Sequence, residues 1–179
     1  MGSPGELTLD TERLRLRALD LDALQAWVDA DAGRLLDTTR VVFAEPVTTP
    51  PLFGDDLPMF RDRMAETPGE LGWWVWLISD LEEGTALGVC GLGGRPGPDG
   101  VVVVGYSVYP DQTGNGYATE ATRAVVGWAL GQPGVSRVRA TVPTGNVASV
   151  AVARKLGMHR VGTEGHPEFG EVAVYEVGR

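Results

Sequence analysis

Apolar and polar residues follow two different periods along the chain, and these periods predict a series of strands and helices. Leu14–Arg17 alternates apolar and charged residues, as a half-buried strand does. Leu21–Asp29 places its leucines on one helical face behind a capping Asp20. The other predicted strands are Trp73–Ile78, Gly88–Leu92, Val101–Val108, Arg137–Val142, Met158–Gly162 and Val172–Val177, and the other predicted helices run from Asp55 or Asp56 to Ala65, over Tyr117–Leu130 and over Val147–Leu156.

The order of these elements predicts an α/β fold built on one mixed sheet of about seven strands with four helices. Val101–Val108 is almost wholly apolar, which predicts a central strand covered on both faces. Residues 37–54 and Thr163–Gly170 are predicted loops, and we expect them to gate a substrate because specificity usually resides on loops. No linker divides the chain, so we expect one domain over residues 1–179 with a flexible N-terminus over residues 1–6.

Three tryptophans fall close together in one predicted strand. Alternation along a strand would put Trp74 and Trp76 on one face and Trp73 on the other. These rings would form either a wall of an acceptor pocket or part of the core or of a dimer contact.

Composition excludes several classes of protein. A single cysteine among 179 residues rules out an intramolecular disulfide, and two histidines make a metal site unexpected. No apolar run approaches the roughly 20 residues that a membrane helix needs, and residues 1–6 lack the basic and apolar regions of a signal peptide. We therefore expect a cytoplasmic protein without membrane contact.

Charge is negative and unevenly distributed. The net charge of −9 argues against a nucleic-acid partner. Residues 1–72 carry a net charge of −7, and residues 73–179 carry −2. A polyanionic ligand would therefore bind more favourably in the second part and a cationic one near the first, although acidic helices that only keep the protein in solution explain the pattern equally well.

One segment, Tyr106–Glu120, has the pattern of an anion site. An apolar strand runs into a glycine-bearing turn that opens a helix, and the free N–H groups of the first helical turn attract phosphate. A nucleotide P-loop is excluded because Lys155 is the only lysine of the chain. Thr119 stands where a dinucleotide fingerprint needs a small residue. A phosphate or diphosphate site is predicted, with a plain strand-to-helix turn as the alternative.

Three segments resemble those of a known family: Thr11–Arg17 (TERLRLR), Gly105–Ala121 (GYSV, then GNGYATEA) and Asn146–Met158 (NVAS, then RKLGM). Together they are similar to the GNAT superfamily of N-acetyltransferases, in particular to the branch that acetylates N-termini of ribosomal proteins (RimJ/RimL-like). The resemblance covers nearly the whole chain. It implies a single GNAT-like domain with a splayed parallel pair, here Val101–Val108 and Arg137–Val142, and acetyl-CoA as cosubstrate without a metal.

The resemblance also assigns residues to the coenzyme. Backbone around Ser107 and Val108 would pair with the pantetheine amides as a short strand would. Asn146 would face the pantetheine arm and Ser149 the sulfur, although Asn146 is equally explained as a helix N-cap. The remaining expected contacts are the diphosphate loop, Thr113, Gly114, Asn115, Gly116, Tyr117 and Ala118, and the outer-phosphate candidates Arg123, Arg154 and Lys155. The three basic side chains are equally consistent with solvated helix faces.

Catalytic residues are where the sequence departs from the family. Members commonly carry a glutamate at the position of Val103 and a tyrosine at that of Ala153, so the usual base and acid are missing. Thr113 replaces the usual Arg or Gln at the start of the loop, which is a mild change because backbone amides do most of that work. We hypothesise that catalysis relies on proximity, with Ser149 near the sulfur and Glu45 or water as the base.

Three functions remain open from the sequence. The first is transfer of an acetyl group from acetyl-CoA to a primary amine, with a peptide or protein N-terminus as the candidate acceptor. The second keeps the fold but transfers another acyl group, such as succinyl, or acylates a small-molecule or antibiotic amine. The third is a non-catalytic module that binds coenzyme A. The oligomeric state is open, with a homodimer as the hypothesis.

Overall fold

The computed structural model describes residues 6–179, which form one eight-stranded sheet in the order β1-β2-β3-β4-β5-β6-β8-β7. The strands are β1 Thr8–Asp10, β2 Leu14–Ala18, β3 Val75–Asp80, β4 Ala86–Leu92, β5 Val101–Val108, β6 Arg137–Pro143, β7 His159–His166 and β8 Gly170–Gly178. The α-helices are α1 Leu21–Val28, α2 Ala32–Thr39, α3 Leu57–Glu66, α4 Tyr117–Leu130 and α5 Val147–Lys155. Of the N-terminus expected to be flexible, residues 1–5 lie outside the described part, and Glu6 pairs with Arg17.

The sheet separates two hydrophobic cores. On one face, α4 and α5 pack against β2 and the central strands, and Ala121, Val125 and Ala129 of α4 are fully buried there. On the other face, α1, α2 and α3 cover only the half of the sheet that contains β3 and β4, where Leu77 and Val89 point into the second core. The sheet therefore leaves one face of its other half without a helix.

Strand β5 lies at the border of that uncovered half, and this corrects the expectation that it is covered on both faces. Val102 and Val104 are buried beneath α4 and α5. Val103 on the opposite face is 43% exposed, and Gly105 next along that face is also exposed. An apolar run therefore did not distinguish a doubly covered strand from one that is half open.

Strands β5 and β6 form the parallel pair of the sheet, and their pairing is short. The register runs from Val101 opposite Arg137 to Val103 opposite Arg139 and stops there. Both strands continue, β5 for five more residues along β4 and β6 for four more along β8. The two strands therefore diverge towards their carboxyl ends and leave an opening in the sheet.

The expected α/β fold with a splayed parallel pair is confirmed, with differences in detail. The described residues contain eight strands rather than about seven and five α-helices rather than four. The additional helix, α2, takes in residues 37–39 of the predicted loop, because Asp31 caps it through the Arg34 amide. Thr163–Gly170 is not a long loop: β7 continues to His166, and only a tight turn separates it from β8.

The tryptophan arrangement differs from the prediction. Trp73 and Trp76 pack on the same ring, Trp128 of α4, at centroid distances of 5.2 and 5.4 Å. Trp74 lies instead towards Phe60 of α3. Strand alternation begins only at Val75, so Trp73 precedes the strand and does not obey its period.

Candidate active site

The turn before α4 presents a row of free backbone N–H groups. Gly114 and Gly116 both have φ of +81°, a conformation that glycine adopts without strain. Within residues 6–179, none of the N–H groups of residues 114–119 donates a hydrogen bond to another atom of the chain. These donors, together with the positive end of the helix dipole, are groups that can bind an anion.

The side chain of Arg13, from the segment before β2, forms hydrogen bonds with this turn. The Arg13 guanidinium donates from Nη1 to the Asn115 carbonyl at 3.1 Å and from Nε to Glu120 Oε2 at 2.8 Å. The Glu120 carboxylate also accepts from the Arg13 amide at 3.0 Å and from the Thr11 hydroxyl at 2.6 Å. Burial alone would raise the pKa of Glu120, but the hydrogen bonds from Thr11 and Arg13 outweigh it and lower that pKa.

A depression of about 470 Å³ lies beside the start of α4. Three cationic side chains line it, Arg13, Arg123 and Lys155, together with two carboxylates, Glu12 and Glu120. The Arg123 guanidinium donates to the Lys155 carbonyl at 2.8 Å, which ties α4 to the end of α5. Predicted contacts from both helices, Gly116 and Lys155 among them, therefore meet at one cavity.

The backbone of β5 turns alternate residues towards the opening in the sheet. The Tyr109 amide donates to the Leu87 carbonyl at 3.0 Å and the Val103 carbonyl accepts from the Gly93 amide at 2.9 Å, so odd-numbered residues of β5 bond towards β4. Tyr106 and Val108 consequently direct their N–H and C=O groups towards the gap beside β6. Ser107, predicted with Val108 to pair with pantetheine, directs its backbone towards β4 instead, and its side chain lies on the face of Val103.

Hydrogen bonds hold the first turn of α5 and attach it to β5, one of the two strands that border the opening. Asn146 caps this helix, its side chain accepting from the Ser149 amide at 3.1 Å, which is the structural alternative anticipated for it. The Tyr106 hydroxyl donates to the Ser149 carbonyl at 2.9 Å. Burial, with a smaller contribution from Tyr175, raises the pKa of Tyr106 to about 12, so this donor stays protonated at neutral pH. The half-buried Ser149 is thereby held next to β5, whereas Ala153 is fully buried.

The loop that carries Glu45 is attached to the end of β5 at one carbonyl. The Thr48 carbonyl accepts from the Tyr109 hydroxyl at 2.9 Å and from the Trp27 indole at 3.1 Å. Burial, and less strongly Asp111, raises the pKa of Tyr109, so its hydroxyl also remains a donor. Glu45 itself is exposed, and among the described residues its carboxylate takes no hydrogen bond. The hydrogen bond to Tyr109 places this loop beside the end of β5, but Glu45 and Ser149 form no hydrogen bond with each other.

Sequence reasoning missed the contributions of Arg13, Tyr106 and Tyr109. Each acts through a partner more than 40 residues away, and no local pattern indicates such a contact. Cys90 of β4 is fully buried in the core under α4, where burial raises the pKa of its thiol. Residues 6–179 contain no group of three or more metal-ligating side chains, and no helix among them is long and apolar enough to cross a membrane.

Comparison with known proteins identifies the family. The sequence profile described as Acetyltransferase (GNAT) domain matches residues 13–159, which is most of the chain. The chain belongs to the GNAT acetyltransferase family. It is therefore an acetyl-CoA-dependent acetyltransferase.

Individual relatives of this GNAT domain agree with the profile. The uncharacterized N-acetyltransferase YjdG of Bacillus subtilis (strain 168) is 28% identical over 149 residues, covering 83% of this chain and 88% of the relative. The ribosomal-protein-S5-alanine acetyltransferase of Vibrio fischeri has a TM-score of 0.68 at 15% identity over 96% of both chains. RimL, a ribosomal L7/L12 alpha-N-protein acetyltransferase in complex with coenzyme A, has a TM-score of 0.66 at 18% identity, covering 96% of this chain and 98% of that one. At these identities the two solved structures support the fold alone.

Proposed function

We propose that the protein acetylates the α-amino group of a peptide or protein, with acetyl-CoA bound along the opening between β5 and β6. The observation that carries the proposal is the presence of two sets of free backbone groups near each other in the chain, those of Tyr106 and Val108 at the opening and the amides of residues 114–119. An extended thioester arm ending in a diphosphate is a ligand that such a surface fits, because the arm carries amides and the diphosphate carries negative charge.

The remaining expected coenzyme contacts follow from this placement. Thr113, Tyr117 and Ala118 complete the diphosphate loop with Gly114, Asn115 and Gly116, mainly through backbone. Lys155 and Arg123 line the adjacent depression and are the candidates for the outer phosphate. Asn146 caps α5 through its side-chain oxygen, and its side-chain NH2 is the group that would contact the pantetheine arm.

Acetyl-CoA supplies an activated acetyl thioester whose carbonyl carbon an amine can attack. The N–H of Val108 faces the opening and can donate to an oxygen that becomes negative there. Ser149, held by Tyr106, is the hydroxyl that can donate a proton to a departing thiolate while it takes one from solvent water. The attacking amine must be neutral, and Glu45 on the loop beside Tyr109 is the candidate to take its proton, directly or through water.

Charge supports a cationic acceptor. The net charge of −7 over residues 1–72 places most of the excess negative charge in the part of the chain that forms α1, α2 and α3. The uncovered sheet face with Val103 and Gly105 borders these helices and is open for an acceptor. From the resemblance and the composition of the sequence we also propose a place near the ribosomal-protein branch of the family and a cytoplasmic location, with a homodimer as the hypothesis for the oligomeric state. The second candidate, a small-molecule amine or another acyl group, uses the same donor site.

An assay with purified protein separates these functions. We expect acetyl-CoA to raise Tm and free thiol to be released when a peptide with a free N-terminus is added, and not when the same peptide is N-acetylated. Faster release with succinyl-CoA or with small amines would favour the second candidate. Binding without turnover on any amine would support the non-catalytic alternative, and absence of binding would exclude the proposed donor site.

The catalytic assignments need their own test. Ser149→Ala and Glu45→Gln should each lower kcat across the pH range, with Glu45→Gln acting most strongly where the amine is protonated. Glu83→Gln, an exposed carboxylate on the turn between β3 and β4, is a matched control. Wild-type profiles of kcat/KM against pH for both variants would remove Ser149 and Glu45 from the mechanism.

A further inference from the structure

The contact between Arg13 and Glu120 joins the segment before β2 to the diphosphate loop. Its members lie 107 residues apart, and the two side chains meet at 2.7 Å between Arg13 Nη2 and Glu120 Oε2. The guanidinium also lies over the Tyr117 ring, 4.8 Å from its centroid. All of these partners, and the Asn115 carbonyl, belong to the turn or first helical turn that forms the proposed diphosphate site.

Glu120 creates an electrostatic conflict at this site. A carboxylate in the first turn of α4 is favourable for the free helix, because it faces the positive end of the dipole. A bound diphosphate would occupy the same end and would be repelled by that carboxylate. Glu12, a second carboxylate on the wall of the depression, adds to the repulsion.

Arg13 is placed to remove this conflict. Its Nη2 lies on the Glu120 carboxylate and is 3.5 Å from the position that a Cβ on Gly116 would occupy, at the edge of the loop. With Arg13, the side chains around the depression carry three positive and two negative charges, and without it the two signs are equal. The side chain therefore changes the charge of the site as well as its shape.

We propose that Arg13 is a positioning residue of the acetyl-CoA site, which shapes the diphosphate loop through the Asn115 carbonyl and cancels the charge of Glu120 next to the diphosphate. The inference rests on the proposed function, because it needs the diphosphate to bind at residues 114–119. The proposal predicts that Arg13 and Glu120 contribute unequally to acetyl-CoA binding, although both stabilise the fold through the same ion pair.

The test measures both members of the pair. Arg13→Gln and Glu120→Gln should both lower the Tm of the free protein, because each breaks the ion pair between them. Arg13→Gln should weaken acetyl-CoA binding about tenfold, equivalent to about 1.4 kcal/mol, since it leaves the carboxylate uncompensated. Glu120→Gln should not weaken acetyl-CoA binding, because it removes a negative charge beside the diphosphate, and adding Glu120→Gln to Arg13→Gln should restore most of the lost affinity.

Kinetics separate positioning from general damage. Arg13→Gln should raise KM for acetyl-CoA while kcat and KM for the amine stay near wild type, and Arg13→Lys, which keeps the charge, should recover part of the affinity. Equal loss of affinity in Arg13→Gln and Glu120→Gln, or no loss in either, would overturn the inference while wild-type binding leaves the proposed function standing. Failure of the wild-type protein to bind acetyl-CoA would overturn both.

Discussion

Single residues at the start of α4 are under backbone constraint. Gly116 has φ of +81°, and a side chain there would cost about 1 kcal/mol or more in strain and lie against Arg13. Gly127 lies in the same helix, exposed and with open space around its missing Cβ. A side chain is therefore expected to be unfavourable at Gly116 and tolerated at Gly127.

We expect opposite effects from replacing them. Gly116→Ala should lower Tm and weaken acetyl-CoA binding, because it strains the turn that presents the amides. Gly127→Ala should stabilise the protein by roughly 0.5–1 kcal/mol without changing binding, since alanine is a better helix former. Chemical denaturation and calorimetric titration of both variants check this. Unchanged affinity in Gly116→Ala would show that the loop does not depend on that conformation.

The lowered pKa of Glu120 predicts a pH dependence of stability. Its folded pKa lies below the unfolded value of about 4.3, so its contribution is complete above that value and is lost as the pH falls through the folded pKa. Wild type should exceed Glu120→Gln in Tm at pH 7, and the difference should shrink below about pH 4. The hydrogen bond to Glu120 raises the pKa of Arg13, so this guanidinium stays charged throughout the range.

Melting curves between pH 3 and pH 8 test whether the Tm difference between wild type and Glu120→Gln shrinks as the pH falls. Glu164→Gln, on the exposed strand β7, is the control and should show no comparable change. A difference between wild type and Glu120→Gln that persists unchanged to pH 3 would mean that the carboxylate is not stabilised by its hydrogen bonds.

At the scale of elements, two tyrosines attach two different segments to β5. Tyr106 holds the first turn of α5 on one face, and Tyr109 holds the Thr48 loop at the strand end. Removing either hydroxyl deletes one hydrogen bond, worth about 1 kcal/mol, without changing the ring. The two segments belong to different parts of the proposed site, so the two losses should be separable.

We expect the two tyrosine variants to affect different kinetic constants. Tyr106→Phe should lower kcat and raise KM for acetyl-CoA, because Ser149 and α5 lose their anchor. Tyr109→Phe should raise KM for the amine severalfold and leave KM for acetyl-CoA unchanged, since it loosens the loop that carries Glu45. Initial-rate measurements with each substrate varied check this difference. Identical patterns in the two variants would mean that both hydroxyls serve only general stability.

Long elements with a clear period could be predicted from the sequence, and short or long-range features could not. The bounds of Val101–Val108 and Tyr117–Leu130 agree with the structure. Helix α2 was missed because only Leu35 and Thr39 of its residues are buried, too few to define a helical face. Which face of β5 stays open depends on where α1, α2 and α3 pack, and a single strand does not encode that. The Arg13 contact joins segments more than 100 residues apart, so no local signal marks it.

At the scale of the whole molecule, the proposed coenzyme site and the proposed acceptor side differ in charge. The diphosphate turn and α4 lie in the part of the chain with a net charge of only −2, whereas α1, α2 and α3 lie in the part with −7. A polyanionic coenzyme and a cationic acceptor can then approach the same opening from regions of different charge. With a cationic acceptor, the overall charge of −9 would then contribute to binding as well as to solubility.

This difference in charge predicts a salt dependence that differs between acceptors. Raising the ionic strength from 0.01 to 0.15 M shortens the Debye length from about 30 to about 8 Å. We expect kcat/KM for a lysine- and arginine-rich peptide to fall roughly tenfold over this range, because the acidic part of the chain that contains α1, α2 and α3 no longer attracts it from a distance. A peptide of the same length without basic side chains should change much less. Initial rates at saturating acetyl-CoA measure the effect on the acceptor alone.

The origin of the effect can be localised with charge variants. Asp55 and Asp56 are exposed immediately before α3, and their replacement by asparagine removes two of the negative charges facing the acceptor side. The double variant should flatten the salt dependence for the basic peptide, whereas Glu164→Gln and Glu171→Gln together on the β7–β8 hairpin should not, although they remove the same charge. Equal salt dependence for both peptides, or equal flattening by both double variants, would mean that only the net charge matters and that α1, α2 and α3 do not steer the acceptor.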